Sequence, residues 1–187
     1  MSPNELMYIN WRDMFKPEKV QVTSKPSYGK FVCEPLERGF GITIGNGLRR
    51  VILSSLHGAA ITSVKFDGVM HEFSVIPGAL EDVSEIILNL KEVRLKVSDT
   101  EPHIVRIETE GEKKVTAGDI ISDDGKCEIL NKNLHIATLG EGSKLNMVMT
   151  VKVGKGYALA ENNKDEDAPI GTIPIDAVFS PVKRVNY

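Results

Sequence analysis

Residues 145–153 alternate for longer than any other stretch of the chain: Leu145, Met147, Met149, Val151 and Val153 recur at every second position. A period of two places successive side chains on opposite faces of a strand, so the pattern predicts a half-buried antiparallel strand. Shorter alternations at 93–97 and 105–108 predict two more, and Asp123-Asp124-Gly125 and Glu110-Gly111-Glu112 supply turns. Residues 61–66 read as a strand closed by an Asp67-Gly68 turn, and residues 30–34 as a short strand stopped at Pro35.

Two stretches carry helical spacing instead. In the first, Arg38-Gly39-Phe40-Gly41 forms a turn, Thr43 caps the helix, and the helix runs to about residue 56, where His57-Gly58 ends it. At about 100° per residue, Ile44, Leu48, Val51, Ile52, Ser55 and Leu56 share one arc, which is expected to face a core. Asn46, Arg49, Arg50 and Leu53 share the opposite arc. Gly45, Gly47, Ser54 and Ser55 remove bulk, which would let another backbone approach. Geometry alone reads the outward arc equally as an ordinary wet face with one stray leucine and as a contact surface.

The second helix is expected over residues 79–90. Leu80, Val83, Ile86, Ile87 and Leu90 fall on one side, Glu81 and Asp82 in the first turn complement the helix dipole, and Lys91 stands at the end. Residues 161–167 have no apolar side chain and read as a mobile loop, with a charged functional loop as the alternative. Residues 58–178 thus form a mostly β module holding one helix.

Composition narrows the function. With 23 Lys+Arg against 26 Asp+Glu, the chain lacks the basic excess of a dedicated nucleic-acid binder. Aromatic residues make up 6%, and no basic-aromatic stripe suggests base stacking. Cys33 and Cys127 lie far apart and form no CxxC, as free thiols in a reducing cytoplasm would. No apolar run approaches the ~20 residues a membrane helix needs. At 187 residues the chain suits one body with a sizeable insertion as well as two domains.

Catalytic chemistry is hard to find. Gly39-x-Gly41-x-x-x-Gly45 followed by Asp67 matches a dinucleotide-binding variant. However, Pro35 and three further residues separate the strand from the first glycine, and the later alternation suits an antiparallel sheet. No Gly-Lys-Ser/Thr closes it as a phosphate loop. His57, His71, His103 and His135 are spread singly, none in an HExxH pair or beside a cysteine at metal-ligand spacing. Ser54-Ser55 has no glycine elbow. Catalytic residues, cofactor and metal ligands are all expected to be none.

Against this background several blocks carry a resemblance. They are Glu34-Pro35-Leu36-Glu37-Arg38-Gly39-Phe40-Gly41, Gly45-Asn46-Gly47-Leu48-Arg49-Arg50 with Leu53-Ser54-Ser55, and Phe66-Asp67-Gly68-Val69-Met70-His71-Glu72-Phe73. Further along come Ile87-Leu88-Asn89-Leu90-Lys91, Val115-Thr116-Ala117-Gly118-Asp119-Ile120, Gly154-Lys155-Gly156-Tyr157, Pro169-Ile170-Gly171 and Ile175-Asp176-Ala177-Val178-Phe179-Ser180-Pro181-Val182. In this order the chain resembles the N-terminal domain of the bacterial DNA-directed RNA polymerase alpha subunit over nearly its whole length.

The resemblance implies an α+β, two-part fold: residues 1–57 with 179–187 as a dimerisation and assembly subdomain, and residues 58–178 as an inserted β-rich subdomain. It implies a non-catalytic cytoplasmic scaffold whose homodimer binds the polymerase beta and then beta-prime subunits, with no direct DNA contact and no membrane. Arg50 and Leu53, with Arg49 beside them, correspond to the beta side, and Lys91 and Ile175 to the beta-prime side. The family's domain continues past the block ending at Val182 with a helix that packs on the partner's first helix. A chain ending at Tyr187 is therefore expected to dimerise weakly at most.

Overall fold

The computed structural model describes residues 15–187, which divide into two compact units, 15–50 with 186–187, and 51–185. The sequence expectation placed the corresponding divisions at 57/58 and 178/179.

In the first unit, β1 (Val20–Lys25) and β2 (Tyr28–Cys33) form an antiparallel hairpin in register from Val20↔Cys33 to Lys25↔Tyr28. The expected strand at 30–34 is the second arm of this hairpin; β1, with its Val-x-Val pattern, was not anticipated. Helix α1 (Phe40–Ser55) follows and crosses the division after Arg50. It starts three residues before Thr43. Gly39 (φ 92°) opens the first turn, and its carbonyl accepts from both Thr43 N and Thr43 Oγ1. Thr43 is therefore no cap: its hydroxyl bonds back to residue i−4, as an interior threonine does. Nor do His57 and Gly58 close the helix; they open the next strand.

The second unit is built on β3 (His57–Phe66) and β10 (Lys144–Lys155). Between them in sequence lie α2 (Val83–Lys91), β4 (Leu95–Val97), β5 (His103–Glu110), β6 (Lys113–Thr116), β7 (Ile121–Ser122), β8 (Cys127–Ile129) and β9 (His135–Leu139). After β10 come β11 (Tyr157–Ala158), α3 (Ala160–Asn163), β12 (Thr172–Pro174) and β13 (Ala177–Val178). The main sheet runs β7-β5-β10-β3-β4-β8, with β12 also on β3, and β6-β9 and β11-β13 form separate pairs. Every pairing is antiparallel.

The dinucleotide reading fails here, because such a site needs parallel strands joined by a helical crossover. The strand entering α1 pairs only within its hairpin among the described residues, and the strand leaving it pairs antiparallel.

The longest alternation became the longest strand. Leu145, Met147, Met149 and Val151 of β10 are all 1% exposed or less and face Val105 and Ile107 of β5 across the same layer. On β3 the parity changes partway: Ile61 is buried, and then Val64 and Phe66. The register explains this, since Thr150 pairs with Ser63 but Val151 with Ile61, leaving Thr62 as an extra residue. Such a bulge turns the following side chains to the opposite face. Thr62 is itself buried, and its hydroxyl donates to Thr150 O at 3.3 Å.

Helix α2 starts four residues later than expected. Asp82 is its N-cap, accepting from Glu85 N at 2.7 Å, and Val83, Ile86, Ile87 and Leu90 are buried. Leu80, assigned to the core by spacing, precedes the helix and is 80% exposed. The run 161–167 is not all loop, because α3 takes up its first residues and Asn163 Nδ2 donates to Ile175 O at 2.8 Å.

Candidate functional site

Helix α1 has no buried residue. Its apolar arc, expected in a core, lies largely open: Ile44 is 41% exposed, Leu48 54%, Val51 55% and Leu56 39%, while Ile52 is half-buried. Amphipathic spacing shows which side of a helix prefers to leave water, and not whether the same chain supplies the cover. Small residues on the helix do admit close neighbours. The Tyr187 ring sits where a Cβ on Gly45 would be, and Ser54 O would lie 3.3 Å from a Cβ on Gly156. Nothing lies over Gly47. Arg49 and Arg50 are exposed, whereas Leu53, expected as an outward knob, is half-buried.

Lys91 and Ile175 come together at one place. Lys91 follows the last buried turn of α2, and its ammonium donates to Asp176 Oδ2 at 3.2 Å. Asp176 Oδ1 accepts from Ala160 N at 2.9 Å, at the start of α3. These two donors, the backbone amide foremost, hold the Asp176 carboxyl below the usual carboxylate range against a burial that opposes it. Ile175 itself is 3% exposed, its N–H donates to Thr62 O and its carbonyl accepts from Asn163. Its side chain therefore belongs to the core, and the surface at this point is made by Asp176 and Lys91.

Glu81 also departs from the sequence reading, which gave it to the helix dipole. Glu81 precedes the helix, and its carboxylate reaches β9, accepting from Thr138 N at 2.6 Å, His135 Nε2 at 2.7 Å and Thr138 Oγ1 at 3.1 Å. Burial pushes its pKa up, but these donors outweigh burial and hold it below the ordinary value.

One cluster was missed altogether. His103 is 3% exposed, and both ring nitrogens meet carboxylates: Nδ1 meets Asp124 Oδ2, and Nε2 lies 2.7 Å from Asp99 Oδ1. Both nitrogens then act as donors. The bond to Asp124, opposed by burial and aided by Asp99, pushes the imidazole pKa up. Asp124 is held well below the carboxylate range by the Lys126 N–H first, then by His103 and Ser122. Lys126 Nζ donates to Asp99 Oδ2 at 2.7 Å. Cys127 stands beside them, with burial pushing its thiol up, and it is one of two free cysteines, the other being the exposed Cys33. Sequence spacing hid this group because His103 and Cys127 lie on different strands. The trace it leaves is the Asp124-Gly125-Lys126-Cys127 turn.

No described helix is long and apolar enough to cross a membrane. The chain is 68% identical over 185 residues to the DNA-directed RNA polymerase subunit alpha of Desulfosudis oleivorans, a match covering 98% of this chain and 55% of that protein. It is 64% identical over 187 residues to the subunit of the same name from Desulforapulum autotrophicum (100% and 55%), and 58% over 184 to that of Geobacter metallireducens (97% and 54%). The chain thus spans about half the length of the curated relatives it matches. Residues 64–180 match the family described as the RNA polymerase Rpb3/RpoA insert domain. The resemblance to the N-terminal domain of the bacterial alpha subunit rests on the same ground, and the α+β fold with its antiparallel β body agrees with it. On these matches and this fold, the chain belongs to the RNA polymerase Rpb3/RpoA insert domain family.

Proposed function

We propose that the chain is a non-catalytic scaffold of a cytoplasmic DNA-directed RNA polymerase: two copies pair, then bind the beta and afterwards the beta-prime subunit. The observation that carries this reading is α1, sixteen residues long with none buried, its apolar arc open and its two arginines exposed. On the arc opposite the apolar one, Leu53 beside the charge-assisted donors Arg49 and Arg50 is the composition of a contact hot spot. The relatives' name supports the choice of assembly.

In this reading residues 1–57 with 179–187 form the assembly subdomain and 58–178 the inserted one. Arg50 and Arg49 pair with acceptors on the beta subunit, and Leu53 fills a small pocket there. Lys91 serves the beta-prime side, with residue 175 contributing through its position beside Asp176 rather than through its core side chain. DNA contact by this chain is not part of the reading.

Truncating a hydrogen-bonded charge at an interface costs roughly 2–5 kcal/mol. Arg50→Ala should therefore lose most capture by purified beta subunit while keeping the parent's melting curve. Undiminished capture would remove Arg50 from the contact.

A further inference from the structure

The main sheet ends at β7 on one side and β8 on the other, yet only residues 123–126 separate these strands in sequence. A link that short reaches about 3.3–3.6 Å per residue, so the sheet must curl until its two ends approach. Strand β7 pairs with β5 and β8 pairs with β4, and no ladder among the described residues joins β7 to β8. Side chains meet across this seam instead. His103 opens β5, Asp99 follows β4, Asp124 lies in the connecting turn, and Cys127 opens β8 opposite Val97.

We propose that this seam binds a borderline-soft divalent metal ion of the zinc class through His103 Nδ1, the Asp124 carboxylate and Cys127 Sγ. The three donor atoms all lie within 4.8 Å of one another. A tetrahedral ion with ligand bonds near 2.0–2.3 Å holds its donors about 3.5 Å apart, so the widest pair must close by up to roughly 1 Å while His103 Nδ1 and Asp124 Oδ2, now in hydrogen-bond contact, must part. Asp124 lies on the surface, so its rotation can provide part of that movement, and the turn can provide the rest.

Three features favour a metal over a purely proteinaceous clamp. Imidazole with thiolate is the donor set of zinc and its neighbours, not of magnesium or calcium. Asp99 on Nε2 is the outer carboxylate that fixes a ligating histidine's tautomer and ring plane. Asp124 and Cys127 stand three positions apart with Gly125 and Lys126 between them, and Gly125 at φ 68° makes a tight two-ligand turn possible. The turn is also braced by Lys126 N donating to Asp124 Oδ1 and Cys127 N to Ser122 Oγ. A clamp of one imidazolium between two carboxylates accounts for Asp99, His103 and Asp124, while without an ion Cys127 packs against the core beside Ser122.

On binding, the ion takes the place of the proton between His103 and Asp124. That proton and the thiol proton of Cys127 leave to solvent, and the fourth coordination position is filled by water. The ion would close by coordination the seam that the backbone leaves open.

Cobalt(II) is the probe, added to chelator-stripped protein, with zinc in parallel melting experiments. A thiolate-to-cobalt charge-transfer band saturating at one equivalent is expected, with Tm rising as zinc is added. Cys127→Ser should abolish the band and keep the fold, and Cys33→Ser should leave it intact. Asp124→Asn should weaken cobalt binding at least tenfold. No charge-transfer band, a band that grows without saturation, or a band lost in Cys33→Ser but kept in Cys127→Ser would each overturn the site.

Discussion

Lys91 Nζ lies 3.2 Å from Asp176 Oδ2, joining the end of α2 to a residue 85 positions further along the chain. Asp176 serves two donors at once, since its other oxygen accepts from Ala160 N. Both charged groups remain about one-third exposed, which limits what the ion pair adds to stability. Asp176→Ala should cost about 1 kcal/mol, mostly through the Ala160 amide. Asp176→Asn, whose amide oxygen can still accept, should cost less. Urea midpoints of the two variants decide; equal losses would mean that the charge matters more than the amide contact.

Glu81 should make stability depend on acid. Its folded pKa lies below the ordinary 4.5, so its contribution is complete above that value and disappears as pH falls through the folded one. The titratable group facing it is His135 on β9. Glu81→Gln should cost about 1.5–3 kcal/mol at neutral pH, the range for hydrogen bonds to a charged group. Denaturant titrations at successively lower pH should show the gap between parent and variant narrowing below pH 4.5. A constant gap would show that the carboxylate's charge contributes nothing.

Leu80 and Leu90 test how far spacing can be trusted. Leu90 is 1% exposed and Leu80 80%, although both fit one helical stripe. Leu90→Ala should cost about 2–5 kcal/mol. Leu80→Ala should stay within about 0.5 kcal/mol. Melting temperatures of the pair would reveal any larger effect at Leu80.

The open arc of α1 should show itself as self-association. Leu48→Glu places a charge where 54% of the side chain already meets solvent, so folding should be unaffected. Sedimentation across a concentration series should show the variant shifted toward monomer relative to the parent. If both associate equally, Leu48 lies outside the pairing surface.

The strands were legible where one face is buried along an unbroken ladder. Residues 145–153 were readable because β10 lies in the middle of the sheet and keeps a single parity. Residues 61–66 were recognised as a strand, but the side change at Thr62 depends on the register with β10, which one strand's sequence does not contain. The start of α1 slipped because the glycine turn is already the helix's first turn, so Thr43, read as a cap, bonds back to the Gly39 carbonyl.

The candidate contact residues divided differently. Arg49 and Arg50 are on the surface, as a helical wheel anticipates, whereas Ile175 is fixed in the core by partners from Thr62 and Asn163. Glu81 was given to the helix dipole, and the His103 cluster went unread, for one shared reason: His135, 54 positions from Glu81, and Asp124, 21 from His103, are brought near by the fold, although Asp99 is only four positions from His103.

The terminal strands of the main sheet are only two and three residues long, Ile121–Ser122 and Cys127–Ile129. Rims this brief offer a neighbouring polypeptide almost no row of unpaired amides and carbonyls to copy. These two terminal strands are therefore poor templates for running the main sheet of one copy into that of another.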